Sequence, residues 1–367
     1  MDFTFTGEQQ MLRDSISAFL AKNYDFDQRN AIVGSDAGWS STIWEQFAEL
    51  GLLALPFAEE QGGFGGGACE MISIAEPFGA HLLAEPFIAS IALGGAALAA
   101  ASQNKAAAQW LEKVIAGNAI AALAYEEGRG TPDPSQVEME AKRSGETFLL
   151  DGEKRLVLAG GEAEILIVVT QLNDGLALFL VDPQSDGVSV TSYPTVDGRR
   201  AANIRFDKVS VSFDAMMLDG ANRAVTSLLD TATLAICAES VGAMGALLKQ
   251  TAEYAATRKQ FGVPIASFQA VAHRMADMKI AYSKARATML YTAALIEAGQ
   301  ATPKDIAILK GQTGKLGRLI GEEAIQTHGG VGMTDELSVS HYHKRILVND
   351  ALLGSSEYHL RKVGKPG

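Results

Sequence analysis

Two stretches of this chain have the residue types and spacing to handle a charged ligand. The first is Tyr254-Ala255-Ala256-Thr257-Arg258-Lys259-Gln260-Phe261-Gly262-Val263-Pro264, followed by Phe268 and Gln269. A guanidinium is planar, always charged and bidentate, which suits a diphosphate. The second is Gln326-Thr327-His328-Gly329-Gly330-Val331-Gly332-Met333-Thr334. A glycine pair lets a ligand approach backbone that a Cβ would shield. A helix start after it can present free N–H groups to anionic oxygen. Plainer readings stand beside these: Arg258 could satisfy a helix C-terminus, and Gly329-Gly330 could simply end a helix. His273 falls in an amphipathic pattern and reads as packing or interface. His328, beside the glycines, reads as structural. His341 and His343 precede Lys344 and Arg345 with no carboxylate or cysteine at a convincing spacing, so no metal site is expected there.

Composition narrows the class of protein. A net charge of −12 argues against nucleic acid or an anionic membrane surface as main partner. The two cysteines, Cys69 and Cys237, form no disulfide framework and read as small buried hydrophobes in a reducing compartment. Met1-Asp2-Phe3-Thr4 carries acid where a leader peptide needs base. The Ala-rich stretch 88–101 is too short to span a bilayer, and no other run is expected to do so. These features imply a cytoplasmic protein.

The elements that must hold the two stretches change texture twice. Residues 6–116 read as helices, with Leu12, Ile16, Phe19 and Leu20 on one face and Trp44, Phe47, Leu50 and Leu53 on another. The loop Gln61-Gly62-Gly63-Phe64-Gly65-Gly66-Gly67 interrupts them, and an Ala-rich helical hairpin follows from Cys69 to about Ala116. From Ala119 the period shortens. Two strands are expected around the Ser144-Gly145 turn, then at 165–169, 176–181, 188–190 and 201–211, consistent with a β-barrel or sandwich. Long helices return at 226–258, 267–298 and 302–326, and short connections between them imply a bundle.

Two motifs carry a family resemblance. Tyr254 to Met278, with Arg258, Phe261, Gly262, Gln269, His273 and Asp277, resembles the acyl-CoA dehydrogenase signature joining the first two helices of the C-terminal bundle. Gln326 to Thr334, followed by Lys344-Arg345, is similar to that family's Gln-x-x-Gly-Gly-x-Gly turn. The glycine loop 62–67 and the strand 204–211 add weaker support, and the likeness covers nearly the whole chain in order. It implies an α+β multidomain fold: an N-terminal all-α domain (1–117), a middle β-barrel or sandwich (118–219) and a C-terminal four-helix bundle (220–367). It also implies FAD shared across a subunit interface, an acyl-CoA substrate, and electron-transfer flavoprotein or a similar electron acceptor. Arg258 would reach the neighbour's pyrophosphate. Phe261, Gln269, Gln326, Gly329 and Gly330 match the family's other contacts to that cofactor.

The chain departs from the family where its own active site should be. Most members carry a catalytic glutamate before a Gly-Thr pair near the C-terminus; that position is Leu353, followed by Gly354-Ser355. Others carry it on the first bundle helix, at the position of Ala232, beside an arginine that is Thr233 here. The family strand Gly-x-Lys-x-Trp-Ile-Thr-Asn, whose Trp and Thr meet the flavin ring, reads Gly152-Glu153-Lys154-Arg155-Leu156-Val157-Leu158-Ala159. The upstream loop, Glu126 to Asp133, is hard to match beyond Glu126. Glu239 and Glu357 are alternative bases, each plainer as an ordinary helical carboxylate. The half-site for a chain's own ring is degraded, and the half reaching a neighbour is kept. This pattern resembles the base-lacking subunit of bacterial α2β2 acyl-CoA dehydrogenases found in steroid side-chain degradation. A homologous subunit is therefore the expected partner.

Overall fold

The computed structural model describes residues 5–128 and 133–364. The leader reading at Met1-Asp2-Phe3-Thr4 and half of the hard-to-match loop, residues 129–132, lie outside the described residues. The first helix, α1 (Gly7–Asn23), starts on a capping box in which Thr6 and Gln9 exchange side-chain and backbone hydrogen bonds. It is followed by α2 (Phe26–Val33), α3 (Ser41–Glu49), α4 (Ala68–Ala80), a buried π-helix over Ile88–Gly95, α5 (Ala96–Ala100) and α6 (Lys105–Ile115). Eight strands come next: β1 (Ala121–Ala124), β2 (Ala141–Ser144), β3 (Thr147–Leu158), β4 (Ile165–Leu172), β5 (Gly175–Val181), β6 (Val188–Pro194), β7 (Arg200–Ser212) and β8 (Met216–Leu218). Then come α7 (Asn222–Thr257), a hairpin of β9 (Lys259–Gln260) and β10 (Val263–Pro264), α8 (Gln269–Glu297), α9 (Pro303–His328), α10 (Ser338–Ala351) and α11 (Ser356–Gly364). The expected α–β–α order is present.

The chain divides into two compact units, one within 1–31, 68–83 and 233–367, the other within 32–67 and 84–232. In the first, α9 packs against α8, α10 and α11, and α4 packs against α1 and α8. Their core joins Leu234, Val241, Met244 and Leu247 of α7 with Met278 and Met289 of α8, Leu309 and Ile320 of α9, and Ile346 of α10. The crossing of α4 and α7 is set by two glycines. A Cβ on Gly79 would lie 1.7 Å from the Glu239 carbonyl oxygen, and one on Gly242 would lie 1.8 Å from that of Glu76. The two backbones touch, so neither position tolerates a side chain.

The second unit is built on two four-stranded sheets, ordered β1-β4-β5-β8 and β2-β3-β7-β6. β1 pairs with β4 in parallel, and the other ladders are antiparallel. β4 and β5 are buried almost throughout, whereas β7 alternates toward its C-terminal end. Phe148, Leu150, Val168, Phe179, Ile204 and Phe206 fill the core. Phe148 and Phe179 meet edge to face at 5.2 Å. Each such ring contributes about 2–3 kcal/mol by leaving water. The buried π-helix lies flush on β1: the Ala121 N–H donates to Ser90 Oγ at 3.1 Å, and a Cβ on Gly94 would strike the Ala121 carbonyl oxygen.

Four expectations need correcting. Leu50 is not on a buried helical face: α3 stops at Glu49, Leu50 is 54% exposed, and buried Leu53 follows in a turn. The Ala-rich hairpin is three helices and a π-helix. Cys69 is only partly buried; Cys237 is fully buried. Finally, α7 is long and apolar enough to cross a bilayer, contrary to the sequence reading, but 78% of its most apolar window is buried inside the fold. Its apolarity serves a core that surrounds it rather than lipid.

Candidate functional site

The hairpin after α7 and the turn after α9 are tied together by one pillar. The Tyr254 and His328 rings stack at 4.3 Å, and the Tyr254 hydroxyl donates to the His328 carbonyl at 3.5 Å. His328 is buried, with Nδ1 2.9 Å from the Ala324 carbonyl oxygen, so its ring has structural partners on both sides. Arg258 lies one turn beyond Tyr254, and Gly329-Gly330 directly follow His328. The pillar therefore brings the two sequence motifs to one end of the bundle. All six expected ligand residues there, Arg258, Phe261, Gln269, Gln326, Gly329 and Gly330, are exposed in this chain. The Arg258 guanidinium makes no ion pair among the described residues.

Backbone geometry explains some of these residues and not others. Gly329 has φ 66 and ψ −145, a conformation glycine alone adopts readily, so it is required as the cap of α9. Gly330 has no such constraint, and a Cβ built on it would meet nothing within 4 Å. Its space is open to something from outside the chain. Phe261 and Gly262 form the tip of the β9–β10 hairpin with φ 54 and 83. Both central residues of a two-residue turn at positive φ suit Asn-Gly. Phenylalanine there is strained, is 92% exposed, and touches Phe268 edge to face at 6.1 Å. Nothing in the sequence signalled that conformation. His273, on α8, is exposed.

The expected base positions hold no acid. Ala232 is fully buried within α7. Leu353 follows α10 with φ 55, and Gly354 with φ 88. Polar groups lock this turn. Lys310 Nζ donates to the Asn349 and Asp350 carbonyls at 2.8 and 2.7 Å. Asp350 Oδ1 accepts the Ser356 N–H at 2.9 Å. His359 Nε2 donates to the Leu353 carbonyl at 2.9 Å. Burial pushes the His359 imidazole down to about 4, so it is neutral near pH 7. Of the alternative bases, Glu357 is exposed on α11. Glu239 is 3% exposed and ion-paired with Arg345, while Asn349 Nδ2 donates to its other oxygen at 3.3 Å. Arg345 also donates to the Leu83 carbonyl at 2.8 Å. A carboxylate so engaged holds helices together and is not free to take a proton from a ligand.

In the other unit, Leu156 and Leu158 are half-buried on β3; Leu156 lies at an irregularity in the pairing with β7, and Leu158 pairs with Ala201 just beyond it. Leu156 and Ala159 both have positive φ, 50 and 51. Lys154 from the same strand is completely buried, with Nζ 2.6 Å from Glu127 Oε1 and 3.3 Å from the Tyr125 carbonyl. Burial pulls this ammonium down to about 8 against the pull of Glu127. Glu127 also accepts the Glu138 and Met139 N–H groups, so the pair pins the segment after β1. The strand thus holds a buried lysine, and Leu156 and Leu158, the positions the family resemblance would aim at a ring, are aliphatic. Among the described residues, no group of three or more His, Cys, Asp or Glu side chains could hold a metal.

Comparison with known proteins bears on this arrangement. Residues 6–118, 122–209 and 219–366 match the N-terminal, middle and C-terminal domains of acyl-CoA dehydrogenases. Acyl-CoA dehydrogenase IpdE2 of Mycobacterium tuberculosis is 30% identical, over 97% of this chain and 96% of its own length. Acyl-CoA dehydrogenase FadE27 of the same organism is 26% identical, over 100% of this chain and 98% of its own. A chain in the crystal structure of the ChsE4-ChsE5 complex, also from M. tuberculosis, superposes with a TM-score of 0.91 at 26% identity, each chain covered completely. Motifs, fold and relatives agree: the chain belongs to the acyl-CoA dehydrogenase family.

Proposed function

We propose that this chain is the base-lacking subunit of a heteromeric acyl-CoA dehydrogenase. It would supply the cross-interface half of the cofactor site to a homologous partner that carries the glutamate. FAD is the cofactor; when bound, it takes the β-hydrogen of the acyl thioester as hydride. The observation that carries the reading is the contrast between two sets of residues. Arg258, Phe261, Gln269, Gln326, Gly329 and Gly330 are gathered and exposed, while Leu353 and Ala232 leave both base positions without an acid. The Arg258 fork would pair with pyrophosphate oxygens. Gln269 and Gln326 would hydrogen-bond the cofactor, and the bare backbone at Gly330 would admit it closely. Leu156 and Leu158 offer apolar contact and no donor where a ring's heteroatoms need one. The ChsE4-ChsE5 complex is a two-subunit relative by its own description, which favours a hetero-oligomer over a homo-oligomer.

Removing an α-proton from a thioester requires a carboxylate placed within hydrogen-bonding reach. This chain offers none at either family position, and Glu239 is held by Arg345 and Asn349. The deciding experiment expresses the chain alone and together with a homologous acyl-CoA dehydrogenase subunit from its genomic neighbourhood. Flavin content and anaerobic bleaching by acyl-CoA are then measured. Flavin-loaded, bleachable complex only on co-expression is the expected result. Bleaching by the chain alone would refute the proposal, and a complex that holds no flavin would reduce the chain to a stabilising role.

A further inference from the structure

The turn that carries Gly329-Gly330 is bonded forward onto α10. Thr334 donates its N–H and its hydroxyl to the Val331 carbonyl at 3.3 and 2.9 Å. Ser340 Oγ donates to the Thr334 carbonyl at 2.9 Å, and Ser338 Oγ donates to Gln250 Oε1 of α7 at 2.7 Å. The last tie is His341. Its Nε2 lies 3.1 Å from the Asp335 carbonyl oxygen, and its Nδ1 lies 2.9 Å from Arg29 Nη1 of α2. A guanidinium has no lone pair and can only donate. Nδ1 is therefore the acceptor, and Nε2 carries the ring hydrogen and donates to Asp335. Phe26 of α2 meets the ring edge to face at 5.0 Å. Only 13% of the His341 side chain is exposed, and Arg29 is buried. One lone pair and one N–H of a neutral imidazole thus join α2 to the cofactor turn.

This bridge works in one protonation state. A second ring proton would go to Nδ1, where it would face the Arg29 N–H. Donor would meet donor, and cation would meet buried cation. The charged groups that act on the ring are Arg29 from α2, Lys344 from α10 and Asp335 from the turn. Burial above all, with the Arg29 and Lys344 charges, holds the ring below the usual imidazole range against the pull of Asp335. Lys344 Nζ also pairs with Asp335 Oδ1 at 2.6 Å, so the carboxylate nearest the ring is already engaged. We propose that His341 is a positioning residue for the cofactor turn: neutral, it ties Asp335 to Arg29 and holds Gly330 ready for the cofactor, and as an imidazolium it lets the turn go. This role rests on Gly330 receiving the cofactor, as proposed above, and adds a pH dependence which that reading does not require.

The test compares the assembled protein at pH 7.5 and pH 5.0, with FAD and stripped of it. FAD affinity should fall by roughly threefold or more at the lower pH, the scale of one lost hydrogen bond. In the stripped protein, protection of residues 329–337 from deuterium exchange, corrected for intrinsic rates, should fall by about the same factor. The side chain of His341→Gln can accept from Arg29 and donate to Asp335 but does not titrate. That variant should bind FAD well at both pH values, with the pH dependence gone. His341→Phe keeps a ring against Phe26 and loses both hydrogen bonds. It should bind FAD roughly threefold more weakly even at pH 7.5, with thermal unfolding reporting that the fold is kept. Protection at 329–337 that is equal at both pH values, or a Phe variant that binds FAD like the wild type, would overturn the proposal. A complex that takes up no FAD at either pH would overturn the cofactor reading instead, and the exchange measurement would still decide the role of His341.

Discussion

Glu239 offers the sharpest separation of structure from chemistry. It is the carboxylate of α7 that lies two turns beyond Ala232 on roughly the same face, so a proton-abstracting role is the natural rival to the reading above. The structure gives it another task. It is 3% exposed, its Oε1 is paired with Arg345, whose side chain is fully buried, and Asn349 donates to Oε2 at 3.3 Å. Glu239→Gln keeps an amide oxygen for one donor and removes the charge. Breaking a buried pair by losing one partner costs about 3–5 kcal/mol. The retained acceptor and the Leu83 carbonyl contact to Arg345 reduce that to roughly 2–3 kcal/mol, a large share of the 5–15 kcal/mol typical of folded proteins. Guanidinium unfolding followed by tryptophan fluorescence should show a lower midpoint, and the free energy of unfolding extrapolated to water falling by that amount. The double variant Glu239→Gln/Arg345→Met, which removes the orphaned charge as well, should recover part of the loss. Bleaching of the co-expressed complex, counted per folded molecule, should stay near wild type. An unchanged unfolding midpoint with abolished bleaching would refute this reasoning and make Glu239 the base.

Other expectations concern the cofactor end, the empty base position and acid stability. Arg258→Ala should lower flavin occupancy of the assembled complex by on the order of 2 kcal/mol in affinity; lost activity with normal flavin content would contradict it. Phe261→Asn should relieve a strained turn and stabilise the isolated chain by about 1 kcal/mol, while weakening association with the partner, as read by thermal unfolding and sedimentation. On the proposed function, Leu353→Glu should not give acyl-CoA bleaching in the chain alone, because Leu156 and Leu158 would still offer a ring no polar seat; bleaching in that variant would show that only the acid was missing. His359 titrates at about 4 in the fold against 6.5 when free. The unfolded chain therefore binds the extra proton first, and stability falls as pH drops from 6.5 toward 4 and is level above 6.5. The loss reaches up to about 3 kcal/mol, and His359→Gln should flatten that slope in denaturation measured at pH 4.5 and 7.

The legible parts of this protein were those whose pattern repeats. The long helices stood out for two reasons: α8 buries one stripe, Met278, Ala281, Ala285 and Met289, at helical spacing, and α7 carries an apolar run that is buried on every side from Ala232 to Met244. The apolar runs of β4 and β5 stood out because those strands are covered on both faces. What stayed hidden depended on single conformations or distant pairs. Leu50 carries the right residue type at the right interval, yet the helix ends one residue earlier. Phe261 at positive φ contradicts ordinary turn preferences, so no propensity could have found it. The Tyr254–His328 stack joins residues 74 apart, and the Lys154–Glu127 pair joins strand to loop across 27. Periodicity within one element carries no information about such partners.

The contact of α4 with α7 at Gly79 and Gly242 constrains motion as well as sequence. Two backbones in touch at points one turn apart act like meshed gear teeth. Sliding along either axis would drive a carbonyl into a Cα, so only a small rocking about the contact is open to them. The two backbones shield one another where they touch, and the amides of residues 78–79 and 239–241 should be among the slower ones to exchange with deuterium. The same mesh makes this crossing a fixed point on α7, about four turns before the helix ends next to Arg258 and the hairpin that carries Phe261.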